Sequence, residues 1–563
     1  MKASHPFLSM FYHRVKNQFK LKDLDKVNKR WADVFERQDN LWKKELSNNT
    51  GKKILIATST GGHQAVIPIE SLLAVALTLR GARVHFLLCD KFLPACLQAT
   101  ITSFNSKEEF PKYGPQKSLC DNCFKTGYEM YKPLNLPIHL NSELVTKKEE
   151  LNAYNLAKNI NSIEIKGYLL DGLKVGEHAY AGALRYFARA DLKGEMDAEK
   201  VLRRYFHAAL LSVYATERIL SEYNFDCVVF NHGIYIPQGI TGEVARKNNV
   251  RVVNWNPAYR KQCFIFSEGD TYHHTLMNEP VSKWENLSLT KKLEDITLNY
   301  LKSRRQGAQD WIWFHENPQF EFKHLQKQFS IDLSKPMIGM LTNVLWDAQL
   351  HYPDKAFPNM LAWIFETIKY FQKRKDLQLI IRIHPAEIRG TLPSRQLVLD
   401  EINKKFPDLG SNIIVIPPNC NVSTYTIMEK CNTVIIYGTK TGVELTSVGI
   451  PVIVAGEAWV KNKGITLDPK TKDEYFNLLD KLPLKSCMAT KNINRARKYA
   501  FHFFFRRMIP INSVVISKGW PPYKLAVKTL EELLPGKDDG LDIICDGILS
   551  NKDFIFPAEK LKL

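Results

Sequence analysis

Three features of this 563-residue chain point to an α/β protein of two Rossmann-like domains facing each other across a cleft. Short apolar runs alternate with segments of helical period, the rhythm of parallel strands joined by crossover helices. That rhythm starts twice, at Lys53 and again at Met337, with a polar helical stretch between them that ends in Asp332-Leu-Ser-Lys-Pro336. A composition of 45% hydrophobic and 11% aromatic residues supplies apolar surface for sizeable cores, which a disordered chain lacks.

Residues 1–50 read as a basic helical arm with scattered aromatic anchors, Phe7, Phe11, Tyr12, Phe19, Trp31, Phe35 and Trp42. The first domain, 51–330, opens with the strand Lys53-Ile-Leu-Ile-Ala-Thr58. This breaks into Ser59-Thr-Gly-Gly-His63, a helical pattern and a second strand over 83–89. Further on, Cys227-Val-Val-Phe230 ends in Asn231-His232-Gly233, and a helical segment leads to a strand over 251–255. The second domain, 336–490, has apolar runs over 337–341, 377–383, 412–416, 432–436 and 450–454, each suited to burial on both faces of a parallel sheet. Residues 491–563 form C-terminal helices and a tail. There Phe503-Phe-Phe-Arg-Arg507, with Arg495 and Lys498 nearby, suits packing and, as the alternative, anionic lipid headgroups.

Charge narrows the partners. Lys and Arg number 78 against 59 Asp and Glu, a formal +19 with a pI near 9.2, so nucleic acid, an anionic membrane face or a phosphorylated substrate would each fit. No basic run and no nucleic-acid-binding module stands out, which leaves nucleic acid without support. No apolar stretch reaches the ~18 residues of a membrane span, and residues 1–24 do not read as a signal peptide. Ten scattered cysteines fit reduced thiols in a cytoplasmic protein.

Open α/β sheets bind ligands beyond the carboxyl ends of their strands, so the residues just past each strand are the ones to weigh. In the second domain these are Arg382 and His384, and then the turn Tyr437-Gly438-Thr439-Lys440-Thr441-Gly442, which opens a helix carrying Glu444. Backbone N–H groups at a helix start suit a phosphate, Lys440 adds charge, and Glu444 is placed to accept hydrogen bonds from a ribose. In the first domain Gly61 and Gly62 would allow close approach of a substrate, and His63 or His232 could take a proton from an acceptor hydroxyl. Glu268 and Asp270 keep a carboxylate base in play. Cys120 and Cys123 form a C-x₂-C pair downstream of Cys89 and Cys96, and the four could close a structural zinc site or lie as buried free thiols.

The stretch Arg382-Ile-His-Pro-Ala-Glu387, followed by Tyr437-Gly-Thr-Lys-Thr-Gly-Val-Glu-Leu-Thr-Ser-Val-Gly-Ile-Pro-Val452, resembles the donor half of bacterial capsule-polysaccharide glycosyltransferases, the Kdo transferases and polysialyltransferases. The resemblance covers roughly 336–470. It implies the GT-B architecture, with His384 and Thr439 or Thr441 on the donor phosphate and a CMP-, UDP- or GDP-linked sugar as co-substrate. It also implies a saccharide or lipid-linked acceptor, which would bring the enzyme to the inner face of the plasma membrane. The expected reaction is an inverting, metal-independent transfer, since no Asp-x-Asp pair follows a strand. Sugar-nucleotide 2-epimerases share the plan of the turn and are the rival reading; a noncatalytic membrane-surface protein is the other.

Overall fold

A computed structural model describes residues 31–115, 117–305, 310–311, 321–348, 350, 355–485 and 487–560. The aromatic anchors Phe7, Phe11, Tyr12 and Phe19 lie outside the described residues. The chain divides into two units. Unit 1 comprises residues up to Gly182, Glu199–Tyr272 and Ile509–Phe556; unit 2 comprises Ala183–Ala198, His273–Met508 and the residues from Pro557.

Unit 1 is organised by strands β1 (Lys53–Ser59), β2 (Arg83–Leu88), β3 (Ile138–Leu140), β4 (Cys227–Asn231), β5 (Arg251–Pro257) and β6 (Cys263–Glu268). Their order across the sheet is β3-β2-β1-β4-β5-β6, extended by the short strand Ile509–Pro510. The first five are parallel, β6 runs antiparallel to β5, and Ile509–Pro510 runs antiparallel to β6. The helix Ile67–Thr78 after β1 is buried throughout, because Ile, Leu, Val and Ala occupy every turn. The chain leaves β1 toward β2 on one side and reaches β4 on the other, so the loops after β1 and β4 meet at a topological switch point.

Unit 2 repeats the plan with β7 (Met337–Leu341), β8 (Gln378–Arg382), β9 (Ile413–Ile416), β10 (Thr433–Ile436) and β11 (Val452–Val454), all parallel in the order β9-β8-β7-β10-β11. Its switch point lies between β7 and β10. Trp363, Ile364, Ile368 and Phe371 of the helix Met360–Phe371 pack with Ile338, Ile381 and Ile435 of the sheet and with Tyr475 in one core cluster.

The boundaries differ from those read off the sequence. Residues 31–47 are part of unit 1: Trp31, Val34, Phe35 and Trp42 are buried, and the two indoles donate to Ser71 Oγ and to the Leu134 carbonyl. Unit 1 ends its middle segment at Tyr272. The following helix Lys291–Arg304 belongs to unit 2, where Glu294 pairs with Arg497 at 2.6 Å and Trp284 packs on Tyr499. Phe503, Phe504 and Phe505 are buried in a π-helical turn, Arg507 pairs with Glu279 and Arg506 with Glu559, so that cluster serves packing. Among the described residues no helix is long and apolar enough to cross a membrane.

Candidate active site

At the switch point of unit 2, His384 follows β8 and is held from two sides. Its backbone N–H donates to Thr342 Oγ1, just past β7, at 3.1 Å. Its ring Nδ1 accepts the N–H of Ala386 at 3.0 Å. An imidazole nitrogen that accepts an amide proton carries no proton itself, so in the neutral ring the hydrogen sits on Nε2. His384 itself is half-buried. The Pro385 ring fixes the backbone of this turn.

Past β10, two strand spacings or roughly 10 Å from β8, the turn places two hydroxyls together. Thr439 Oγ1 and Thr441 Oγ1 are 3.1 Å apart, and Thr439 Oγ1 also accepts the Thr441 N–H at 3.3 Å. Gly438 is exposed, whereas Gly442 is buried, where a Cβ would come 2.7 Å from Ile436 Cδ1 and 2.9 Å from Val460 Cγ1. Gly442 thus lets the helix Thr441–Ser447 sit down on β10. Tyr437 packs against Trp363 and donates to the Phe357 carbonyl, so it supports the turn from beneath.

Two expected ligands have other work. Glu444 is buried and its carboxylate is committed: Oε1 forms an ion pair with Arg304 Nε at 3.2 Å and accepts from Lys440 Nζ at 3.4 Å, and Oε2 accepts from Tyr425 OH. Burial raises its pKa, but the Arg304 and Lys440 charges outweigh that and the net shift is downward. A ribose would have to displace one of these partners. Arg304 in turn pairs with Asp310, which Tyr300 OH also bonds at 2.8 Å. Arg382 is buried, its Nη atoms donate to the carbonyls of Pro417 and Cys420, and its Nε has no hydrogen-bond partner. Burial, aided by the Arg389 charge, pushes its pKa down to about 10. Arg382 fixes the loop after β9 and adds a buried positive charge beside His384.

In unit 1 the loops after β1 and β4 bring His63 and His232 to one switch point. His232 adopts φ 66°, its N–H donates to the Trp255 carbonyl at 3.0 Å, and its ring stacks on Tyr235 with Tyr272 edge-on. Glu70, on the helix after the loop, was not foreseen. Its buried carboxyl receives Thr58 Oγ1, Trp255 Nε1 at 3.3 Å and Tyr131 OH at 3.1 Å, while Thr58 Oγ1 accepts the Asn231 N–H at 2.9 Å. One carboxyl thus braces both loops, and burial pushes its pKa up to about 7.

Glu268 is placed differently. It ends β6, which runs antiparallel to β5, so it lies toward the amino-terminal half of β5, opposite Val253 and paired with Arg251 at 2.7 Å. That is away from the carboxyl edge where the histidines stand. Asp270 accepts the Thr271 N–H at 2.6 Å.

The glycines of the first loop admit protein: a Cβ on Gly61 would fall 2.3 Å from the Cys123 carbonyl oxygen, and one on Gly62 3.3 Å from Cys123 Sγ. The helix Lys117–Tyr131 crosses there and covers the loop. The four cysteines expected either to bind zinc or to lie as buried thiols stand beside it. Cys89, Cys96, Cys120 and Cys123 form no disulfide; Cys123 Sγ accepts the Gly62 N–H at 3.0 Å and Cys120 Sγ donates to the Pro115 carbonyl. Burial, and then the charge of neighbouring thiols, pushes Cys89 up to about 12, Cys120 up to about 11 and Cys123 well above its ordinary value. Among the described residues no three His, Cys, Asp or Glu side chains are grouped to hold a metal ion.

Arg304 and Glu70 escaped the sequence reading because each sits in an unremarkable helical stretch, a Lys-Ser-Arg-Arg run and an Ile-Pro-Ile-Glu start. A lone acid amid a wholly apolar helix was a signal available for Glu70.

No family model and no curated protein matches the chain. Solved structures similar to it include a KpsC β-Kdo 2,7-transferase of Thermosulfurimonas dismutans, 12% identical over 57% of this chain and 88% of that chain, with a TM-score of 0.31. The β-Kdo 2,4-transferase KpsC of the same organism is 12% identical over 55% and 88%, with a TM-score of 0.33. A UDP-GlcNAc 2-epimerase of Methanocaldococcus jannaschii, solved with UDP-GlcNAc and UDP, is 13% identical over 80% and 98%, with a TM-score of 0.25. Likenesses of this size leave the activity to be read from the chain's own residues.

Proposed function

We propose that this chain is a sugar-nucleotide-dependent, inverting glycosyltransferase that extends a surface polysaccharide or glycolipid. The observation that supports the reading is the carboxyl edge of the unit 2 sheet, where His384 follows β8, the paired hydroxyls of Thr439 and Thr441 follow β10, and the buried Arg382 charge ends β8. Such an edge suits the phosphate of a nucleotide. Backbone groups from 437 to 442 complete the donor turn, and Lys440, tethered to Glu444, contributes its charge.

In the reaction an acceptor hydroxyl attacks the anomeric carbon as the carbon–oxygen bond to the donor phosphate breaks. The hydroxyl proton passes to a general base, and the electron pair of the broken bond leaves with the nucleotide. His384 and the threonine hydroxyls stabilise the charge that develops on the leaving phosphate. The acceptor is a saccharide, free or lipid-linked.

The test is a thermal-shift series with CMP, UDP and GDP and their sugars, since a ligand that binds only the folded state raises the melting temperature. One base should give a rise that His384→Ala reduces while the unliganded melting temperature stays near that of the wild type. No response to any nucleotide would overturn the reading. Isomerised sugar formed without acceptor would replace transfer with epimerisation.

A further inference from the structure

The strands Val514–Ile516 and Tyr523–Leu525 form an antiparallel hairpin in unit 1. Its base is anchored. Val514, Tyr523 and Leu525 are buried, Tyr523 OH donates to the Ala65 carbonyl, and Gln262 Nε2 donates to the Val514 carbonyl at 2.7 Å. Its tip is closed by the Ser517 N–H on the Pro522 carbonyl at 2.8 Å, and Pro521 and Pro522 stiffen it.

The tip is apolar where a turn is ordinarily polar. Ile516 is 55% exposed and Trp520 39% exposed, with Gly519 between Trp520 and Lys518. Lys518, Lys524 and Lys528 are exposed around them, and no acidic residue occurs from Ser513 to Thr529. The nearest acids in sequence are engaged, Glu531 with Gln38 and Glu532 with the Lys528 N–H. A rigid loop that holds an indole and a branched aliphatic side chain at its end, ringed by ammonium groups, has the chemistry of a membrane-interface anchor. The indole sits at headgroup depth and the lysines meet lipid phosphates.

We propose that this hairpin docks the protein on an anionic lipid surface. Nucleic acid is the less fitting partner, because the tip holds no arginine and only one exposed ring, Trp520, with Ile516 and two prolines offering no second platform for successive bases. A second copy of the chain is also a poor occupant, since the tip is as basic as the chain, which carries a formal +19. Each lysine near the surface is worth about fivefold in binding, and the apolar tip adds to it, so attachment is reversible and salt-sensitive. The inference is separate from the sugar-transfer reading: the hairpin can fail while nucleotides still raise the melting temperature, and the reverse.

The experiment is co-sedimentation of the full chain with vesicles of equimolar phosphatidylglycerol and phosphatidylcholine, against vesicles of phosphatidylcholine alone. Binding is expected to the first, lost at high salt and absent from the second. Trp520→Ala with Ile516→Ser should cut the bound fraction severalfold, and Lys518→Glu with Lys524→Glu should abolish it, with unchanged melting temperatures showing that the variants are folded. Wild-type binding by both pairs, or no binding of the wild type, would overturn the proposal. Duplex DNA bound more tightly than the vesicles, or a dimer lost in Trp520→Ala, would replace the lipid with that partner.

Discussion

Glu70 keeps its proton to about pH 7 in the folded chain, whereas an unfolded glutamate releases it near ~4.3. Between those values the folded state binds more protons than the unfolded one, so this group's contribution is fully present below the window and is lost as pH rises through it. A shift of this size corresponds to roughly 3 kcal/mol. Glu70→Gln keeps the shape and removes the titration. Its urea midpoint should therefore gain on the wild type between about pH 5 and pH 8; a constant gap across that range would contradict the assignment. Glu444 makes the complementary case. Removing it leaves Arg304 and Lys440 with one carboxylate fewer in a buried site, so Glu444→Ala is expected to lower stability by about 3–5 kcal/mol, measured by chemical denaturation. A ribose ligand at the surface would leave stability near that of the wild type. The residue pattern exposed His384 and the threonine turn because they follow apolar strands. It concealed the roles of Arg304, Asp310 and Tyr425, whose meeting at Glu444 depends on tertiary packing between separate stretches of chain.

At the level of elements, the strands were legible where they are uniformly apolar, and β1, β2, β4, β5 and β7–β11 all fall on the runs read from the sequence. The strand β3, Ile-His-Leu, is too short and too polar to announce itself, and β6 carries no turn signal that sets its antiparallel direction. That missing direction misplaced Glu268. The glycine pair showed a similar limit: composition signals a close approach but not what approaches. Because the helix Lys117–Tyr131 lies against Gly61, Gly61→Ala should force the helix off the loop and lower the melting temperature, a loss of about 1–3 kcal/mol by the usual effect of overpacking. An unchanged melting temperature would mean the loop is uncovered in solution. The same helix carries the C-x₂-C pair, and protein purified without chelator should hold less than about half an equivalent of zinc. A full equivalent would restore the four-thiolate site.

Across the whole molecule, the two starts of β/α rhythm foretold two doubly wound sheets, while the assignment of the flanking segments was hidden. Polar helical stretches carry no mark of which sheet they will cover. Residues 509–556 illustrate this. Ile509–Pro510 extends the sheet of unit 1, Arg251 donates to the carbonyls of Gly547 and Ile548, and Arg80 pairs with Asp542. A chain ending at Met508 should consequently leave unit 1 incomplete, with loss of soluble expression or an early melting step; a truncated chain that melts as the wild type would show that the segment is dispensable.

The path of the backbone has a further consequence, in time. The chain passes from one unit to the other after Gly182, Ala198, Tyr272, Met508 and Phe556. A ribosome releases residues in order, and domains that are contiguous in sequence can fold as they emerge. Here the first unit to begin cannot close that way: it waits for a strand that is encoded more than two hundred residues after its own sheet, whereas the five strands of the second are all present by Val454. The vulnerable interval is thus the one in which the six strands of unit 1 stand without Ile509–Pro510.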